Sequence, residues 1–222
     1  MLQIASFTLG PVSTNAYLVA DPETKEAVVI DPAWDGHLIL AEAQKRGWRI
    51  GHLWYTHAHF DHIGGAAAIA DALNPLPHVA LHPDDHVLWR EGGGGKKFGL
   101  DIDPGPEPTI DLVHGMTMKL GSNEFEVRFT PGHTRGHCVL YVAEYHASTT
   151  GIRPPLSVCF CGDLIFNEGV GRTDLPGGDW DTLEKSILEQ IYTMPDETVL
   201  LSGHGPQTTV GYEKRNNPFV RA

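Results

Sequence analysis

The chain has 222 residues, 41% of them apolar and 20% charged, a composition that excludes wholesale disorder and fits one domain. Lys and Arg number 16 against 28 Asp and Glu, and the net charge of −12 argues against general nucleic-acid binding, which depends on neutralising phosphates. Three Cys with no CxxC pair do not make a disulfide framework, and no apolar run of about 18 residues is present to span a bilayer. The start, MLQIASFTLG, lacks a basic n-region and a continuous apolar stretch, so a cytoplasmic protein without membrane partners is expected.

Residues 2–9 and 14–20 are apolar and β-branched around the turn signal Gly10-Pro11, and read as two strands. A third strand at 26–31 ends at Pro32. Leu38, Ile39, Ala41 and Ala43 suit a short amphipathic helix over 36–46, closed by Gly47. Residues 50–56 return to strand, and 63–73 read as one Ala-rich helix ended by Pro75. A strand at 78–82 and a short helix near Asp84–Trp89 follow. Segment 91–108 holds Gly92–Gly95 in succession, then Pro104, Pro106 and Pro108. It reads as a long loop that cannot pack as a regular element, either a surface connection or a mobile flap carrying Lys96 and Lys97.

Strands are expected at 109–113, 117–121, 124–130, 137–143 and 156–161, with AEYHASTTGIRPPL forming an extended hairpin loop between the last two. Asp179 or Asp181 caps a helix whose Leu183, Ile187, Leu188 and Ile191 share one face, and Pro195 ends it. A strand at 198–202 precedes Gly203-His204-Gly205. Strand-rich stretches followed by helices in both halves imply an α/β domain of two packed sheets with helices outside, and no second domain.

Histidine is the outlying residue type, at 13, and its positions cluster. Thr56-His57-Ala58-His59-Phe60-Asp61-His62 places four potential metal ligands within six residues at a strand end. Neutral imidazoles and carboxylates suit Zn, Mn or Fe. His57 and His59 point the same way where strand geometry persists, while Asp61 and His62 sit where the chain turns and can face a second ion. Packing alone does not account for this density. Three later residues repeat the context of a strand end and a Gly-rich turn: His133 in TPGHTRGH, Asp163 in FCGDLIF and His204 in LSGHGPQTT. Cys159 and Cys161 share one face of a strand and read as buried packing. His82, His86, His114 and His146 read as surface or supporting residues, and the five Trp as core or rim.

The ordered motifs THAHFDH, PGHT, CGD and SGHGP resemble the metallo-β-lactamase superfamily across essentially the whole chain. The resemblance implies a four-layer αββα sandwich, one domain over 1–222. Within the superfamily the stretch Cys161–Phe219, with GVGRTDLPGG, GHGPQTT and EKRNNPF, is similar to short bacterial members of the glyoxalase II (hydroxyacylglutathione hydrolase) group, which lack a separate C-terminal helical domain. By this resemblance one metal takes His57, His59 and His133, a second takes Asp61, His62 and His204, and Asp163 bridges both. It implies two divalent ions, zinc first with iron or manganese as alternatives. A bridging hydroxide would then attack a small-molecule thioester such as S-lactoylglutathione. Asp61 and Asp163 are the implied catalytic carboxylates. Arg172 is a candidate for a substrate carboxylate, or alternatively for an ion pair with Asp174 or Glu168. The persulfide dioxygenases are the competing relatives. They hold one Fe(II) at positions equivalent to His57, His133 and Asp163 and share the GRTD stretch. A scaffold that binds a ligand or redox partner without turnover is the non-enzymatic alternative, and the complete ligand set speaks against it.

Overall fold

The computed structural model describes residues 2–145 and 156–221, so most of the expected hairpin loop at 143–156, with His146, lies outside the described residues. Two six-stranded sheets face each other. The first contains β1 (Gln3–Leu9), β2 (Thr14–Ala20), β3 (Glu26–Ile30), β4 (Arg49–Trp54), β5 (His78–Leu81) and β6 (Ile110–Asp111) in sequential order. Its first three strands run antiparallel, and the pairs from β3 to β6 are parallel. Parallel neighbours need crossovers, which are supplied by α1 (Gly36–Arg46), α2 (Phe60–Ile63), α3 (Ala66–Asp71) and α4 (His86–Arg90). The second sheet joins β7 (Thr117–Leu120), β8 (Asn123–Phe129), β9 (Cys138–Tyr145) and β10 (Leu156–Gly162). A two-stranded ribbon, β11 (Ile165–Phe166) and β12 (Gly169–Val170), and α5 (Trp180–Ser186) intervene before β13 (Val199–Ser202) and β14 (Thr208–Thr209) complete that sheet. Helix α6 (Val210–Asn216) follows. No helix among the described residues is long and apolar enough to cross a membrane.

Alternation along the strands builds three apolar layers. Every residue of β2 is buried, with Ala16, Leu18 and Ala20 under α1 and α3 and Tyr17 and Val19 between the sheets. The inter-sheet layer centres on Trp54, Phe125 and Phe160, with edge-to-face rings at 5.1 Å for Trp54–Phe125 and 5.3 Å for Tyr17–Phe160. Such pairs contribute about 0.5–1.5 kcal/mol each beyond area burial. Cys159 and Cys161 lie with Leu183, Ile187 and Ile191 in the third layer, under α5. The sandwich of helix, sheet, sheet and helix is therefore the α/β architecture expected from the sequence.

Two local expectations are corrected and one helix is added. The helix expected over 63–73 is two short helices, broken at Gly64-Gly65. A Cβ at Gly65 would strike the Pro32 carbonyl, and one at Gly64 would lie 2.8 Å from the Trp34 ring, so the turn between the helices is packed too closely for any residue but glycine. Segment 91–108 is not wholly irregular, because Gly92–Phe98 winds into 3-10 turns. Gly92, Gly93 and Gly95 are buried, and a Cβ on Gly93 would overlap the Phe60 backbone nitrogen. Gly92, Gly93 and Gly95 serve close approach, Gly94 only the left-handed kink, and Lys96 and Lys97 are exposed. Helix α6 had no expected counterpart. Its start is fixed by Thr209, whose hydroxyl accepts from the Tyr212 N–H at 3.2 Å.

Candidate metal centre

All seven candidate ligands reach one end of the sandwich, where the parallel strands finish. The loop after β4 carries His57 and His59, and the short helix α2 that follows carries Asp61 and His62. His133 comes from the β8–β9 connection, Asp163 from the end of β10 and His204 from the turn after β13. Six of the seven are buried; the His204 side chain keeps 29% exposure. The ring centroids of His57, His59 and His133 lie 4.6–4.9 Å apart, and His59 Nδ1 approaches His133 Nε2 at 2.8 Å. Asp61, His62 and His204 form a second group, with ligand atoms within 4.8 Å of one another, as do those of the first. Asp163 stands between them. Its Oδ1 is 3.2 Å from His62 Nε2, and its Oδ2 is 3.5 Å from both His133 Nε2 and His204 Nε2.

Neighbouring groups fix which nitrogen of each ring carries the proton. The Arg172 carbonyl can only accept, so His133 Nδ1 donates to it at 2.8 Å. The Thr56 hydroxyl donates to Asp31 Oδ2 at 2.7 Å and accepts from His57 Nδ1 at 3.0 Å. His62 Nδ1 donates to the same Asp31 oxygen at 3.0 Å. Each arrangement leaves Nε2 turned toward the cluster. The buried Nε2 of His57 has no hydrogen-bond partner, and Nε2 of His62 meets Asp163 Oδ1 in an ion-pair contact at 3.2 Å, outside hydrogen-bond geometry. Unsatisfied buried acceptors are costly, so a cluster of them fits a bound cation, and the imidazole–carboxylate donor set suits a divalent ion.

The two groups differ electrically. Burial, together with the crowding of His62, His133 and His59, pushes His57 well below the ordinary imidazole value. Burial likewise lowers His59 and His133. In the other group burial acts in the same sense, but the charges of Asp163 and Asp61 outweigh it and hold His62 well above the ordinary value. Hydrogen bonds to Asp163 and Asp61 push His204 up to about 9 against its burial. Burial would raise Asp61 too, yet His62, His204 and Thr14 bring it down to about 2. The field between Asp61 and Asp163 therefore favours positive charge.

Several supporting residues were not singled out from the sequence. Asp31 receives the Thr56 N–H at 2.8 Å in addition to its two side-chain partners, and Thr14 Oγ1 donates to Asp61 Oδ2 at 2.7 Å. Asp85 binds the backbone of both His-bearing loops. The only sequence hint was position, since Asp31 ends an apolar strand just before Pro32. His137 is fully buried behind His57, its ring 5.2 Å away, with Nδ1 on the Thr130 hydroxyl. The Arg172 guanidinium makes a two-pronged pair with Asp174 at 2.7 Å on each prong, out at the surface. Of the supporting histidines expected from sequence, His82 stacks on Phe129 and His114 Nδ1 accepts from the Phe129 N–H.

The model of the metallo-β-lactamase superfamily matches residues 9–204. The chain is 33% identical over 216 residues to the probable metallo-hydrolase YqgX of Bacillus subtilis, covering 96% of this chain and 94% of the relative. It is 31% identical to the hydroxyacylglutathione hydrolase GloC of Haemophilus influenzae, over 94% and 93%. Among solved structures, the BLEG-1 B3 metallo-β-lactamase superposes with a TM-score of 0.86 at 32% identity, over 99% of this chain and all of the other. TTHA1623 in a di-iron-bound form gives 0.82 at 38% identity, over 97% and 100%. ETHE1 from Myxococcus xanthus gives 0.78 at 25% identity, over 97% and 83%. Matched along nearly its whole length by sequence and by fold, and carrying a His/Asp cluster suited to a divalent ion, the chain belongs to the metallo-β-lactamase superfamily of metallo-hydrolases.

Proposed function

We propose that this metallo-hydrolase cleaves a small-molecule thioester, in the manner of a hydroxyacylglutathione hydrolase, with two divalent ions. His57, His59 and His133 would hold the first ion and Asp61, His62 and His204 the second, with Asp163 shared. The observation that carries this reading is the placement of Asp163, whose two oxygens face ligand groups from both sheets at 3.2–3.5 Å. Bound ions supply Lewis acidity and a water whose pKa is lowered toward about 7. The chain's own residues do the positioning. Thr14 holds Asp61 in place to orient the attacking water, and Asp31 holds His62 and, through Thr56, His57. Zinc is the proposed metal, with iron or manganese as the alternatives; the di-iron form of TTHA1623 supports iron for that relative. The hydroxyacylglutathione hydrolase named among the relatives supports a thioester substrate. A cytoplasmic enzyme without nucleic-acid or membrane partners accords with the acidic chain, and Arg172 is the proposed contact for a substrate carboxylate.

The likeness to ETHE1 supports a second reading, a persulfide dioxygenase using one iron. Metal analysis of protein purified without added metal, combined with an assay on S-lactoylglutathione, separates the two. Two equivalents of metal with thioester turnover are expected. One equivalent of iron, with oxygen uptake on glutathione persulfide and no thioester turnover, would replace the hydrolase reading.

A further inference from the structure

One buried carboxylate grips both loops that supply the first ligand group. Asp85 closes a 3-10 turn, Pro83–Asp85, after β5, and is 1% exposed. Its Oδ2 accepts from the Ala58 N–H at 3.1 Å and from the Thr134 hydroxyl at 2.8 Å, while Oδ1 accepts from the Gly136 N–H at 2.7 Å. Ala58 lies between His57 and His59 on the loop of the first sheet. Thr134 follows His133 directly, on the loop of the second. Gly136 is pressed against the same residue, and a Cβ there would lie 2.7–2.8 Å from the Asp85 backbone nitrogen, Cβ and Cγ. Asp85 itself belongs to neither ligand group.

We infer that Asp85 is a positioning residue for the first metal ion, setting the spacing between His57–His59 and His133 through three hydrogen bonds to the loops between them. The inference rests on the reading that these three histidines hold an ion. A carboxylate is required because donors converge on both of its oxygens. An asparagine would present its NH2 group either to the Ala58 N–H or to the Gly136 N–H, so one loop would lose its anchor in either orientation. Partners bonded directly to ligating side chains are worth about 10–100-fold in metal affinity, and Asp85, which acts through residues beside the ligands, is placed toward the lower end of that range.

The test is titration of the metal-free full-length protein with Co(II), reading the visible absorption of the first ion and its Kd by chelator competition, alongside Tm. Asp85→Asn is expected to weaken the first ion about tenfold or more and to change its spectrum. Thr134→Val removes one anchor and is expected to weaken it by a smaller factor, which keeps the test decisive if Asp85→Asn does not fold. Asp21→Asn, at the opposite end of the sandwich, is the control for general destabilisation; it is expected to lower Tm with an unchanged Co(II) spectrum and Kd. Unchanged spectrum and Kd in Thr134→Val and in folded Asp85→Asn, while His133→Ala loses the ion, would overturn the inference alone. Retention of the first ion by His133→Ala would instead overturn the ligand assignment beneath it.

Discussion

The two ends of the sandwich use the same device to opposite effect. At the end away from the histidines, Asp21 ties the turn after β2 to the turn between β7 and β8, about a hundred residues later. Its Oδ1 accepts from the N–H groups of Glu23 and Thr24 at 2.8 and 3.1 Å. Its Oδ2 accepts from Ser122 N, Ser122 Oγ and Asn123 Nδ2 at 2.9–3.3 Å. Every lone pair there is used. At the other end Asp31, Asp61 and Asp85 also join distant segments, yet Nε2 of His57 and of His137 has no hydrogen-bond partner. Closed hydrogen-bond networks stabilise a fold, whereas open ones at a crowded buried spot are tolerated where something else must bind. The Asp21 network holds two turns together, whereas the histidine end leaves room for a ligand.

The largest expected effect comes from breaking the open end. His57→Ala or His133→Ala should remove bound metal and abolish thioester hydrolysis while far-ultraviolet CD stays native. His204→Ala should instead reduce metal content toward one equivalent. Full metal content and rate in His57→Ala would sink the first assignment, and an unchanged rate in His204→Ala would favour the one-iron reading.

Gly93→Ala probes the packing that joins the glycine run to the ligand loop. Its backbone sits at φ +64, and the added Cβ would overlap the Phe60 backbone and lie 2.7 Å from the Ala58 carbonyl. Overpacking of this kind costs about 1–3 kcal/mol. Gly94→Ala, at φ +75 with its nearest neighbour 3.8 Å away, should lose only the left-handed preference, about 1 kcal/mol. Equal melting temperatures for the two variants would show that the run is loose after all.

Asp21→Ala breaks the closed end and should lower stability by about 2 kcal/mol with metal content unchanged, as read by chemical denaturation and metal analysis. Burial would raise the Asp21 pKa, but hydrogen bonds from Thr24, Ser122 and Glu23 carry it below the ordinary carboxylate value. A lowered folded pKa means that its contribution is full above the unfolded value near 3.8 and fades as pH falls through the folded value. The gap between wild type and variant should therefore hold at neutral pH and narrow in acid; a gap that widens in acid would refute the assignment. The smallest effect belongs to Arg172→Ala. Its exposed pair with Asp174 adds little, so Tm should not move, and a substrate-carboxylate role would appear as a several-fold rise in KM at constant kcat.

The candidate ligands were legible because they are short-range signals, four of them within six residues and the others each beside a glycine at a strand end. The layers were legible from the order of elements, strand-rich stretches followed by helices in both halves, while the two buried faces of β2, Tyr17 and Val19 on one and Leu18 on the other, emerge only in the structure. What escaped was long-range. Asp31 acts on Thr56, Asp85 on Gly136 and Thr14 on Asp61, at separations of 25, 51 and 47 residues. Nothing local marks such an aspartate as different from one facing water. Gly92–Gly95 misled for a related reason, since a glycine needed for conformational freedom and one needed for close contact are the same letter.

The stitching of β2 to β13 bears on how the molecule is made. Asn15 N–H binds the Gly203 carbonyl, Asn15 Nδ2 binds those of Ser202 and Gly205, and Tyr17 OH binds Ser202, across 185–190 residues of chain. His204 meets Asp61 beside these bonds. During synthesis from the ribosome, His57, His59 and His133 emerge well before the segment that carries His204. The second group thus forms only when the last strands dock onto the first hairpin, a closure of very high contact order. The proposed second ligand group is therefore assembled from distant parts of the chain, and its completion depends on β13 reaching β2.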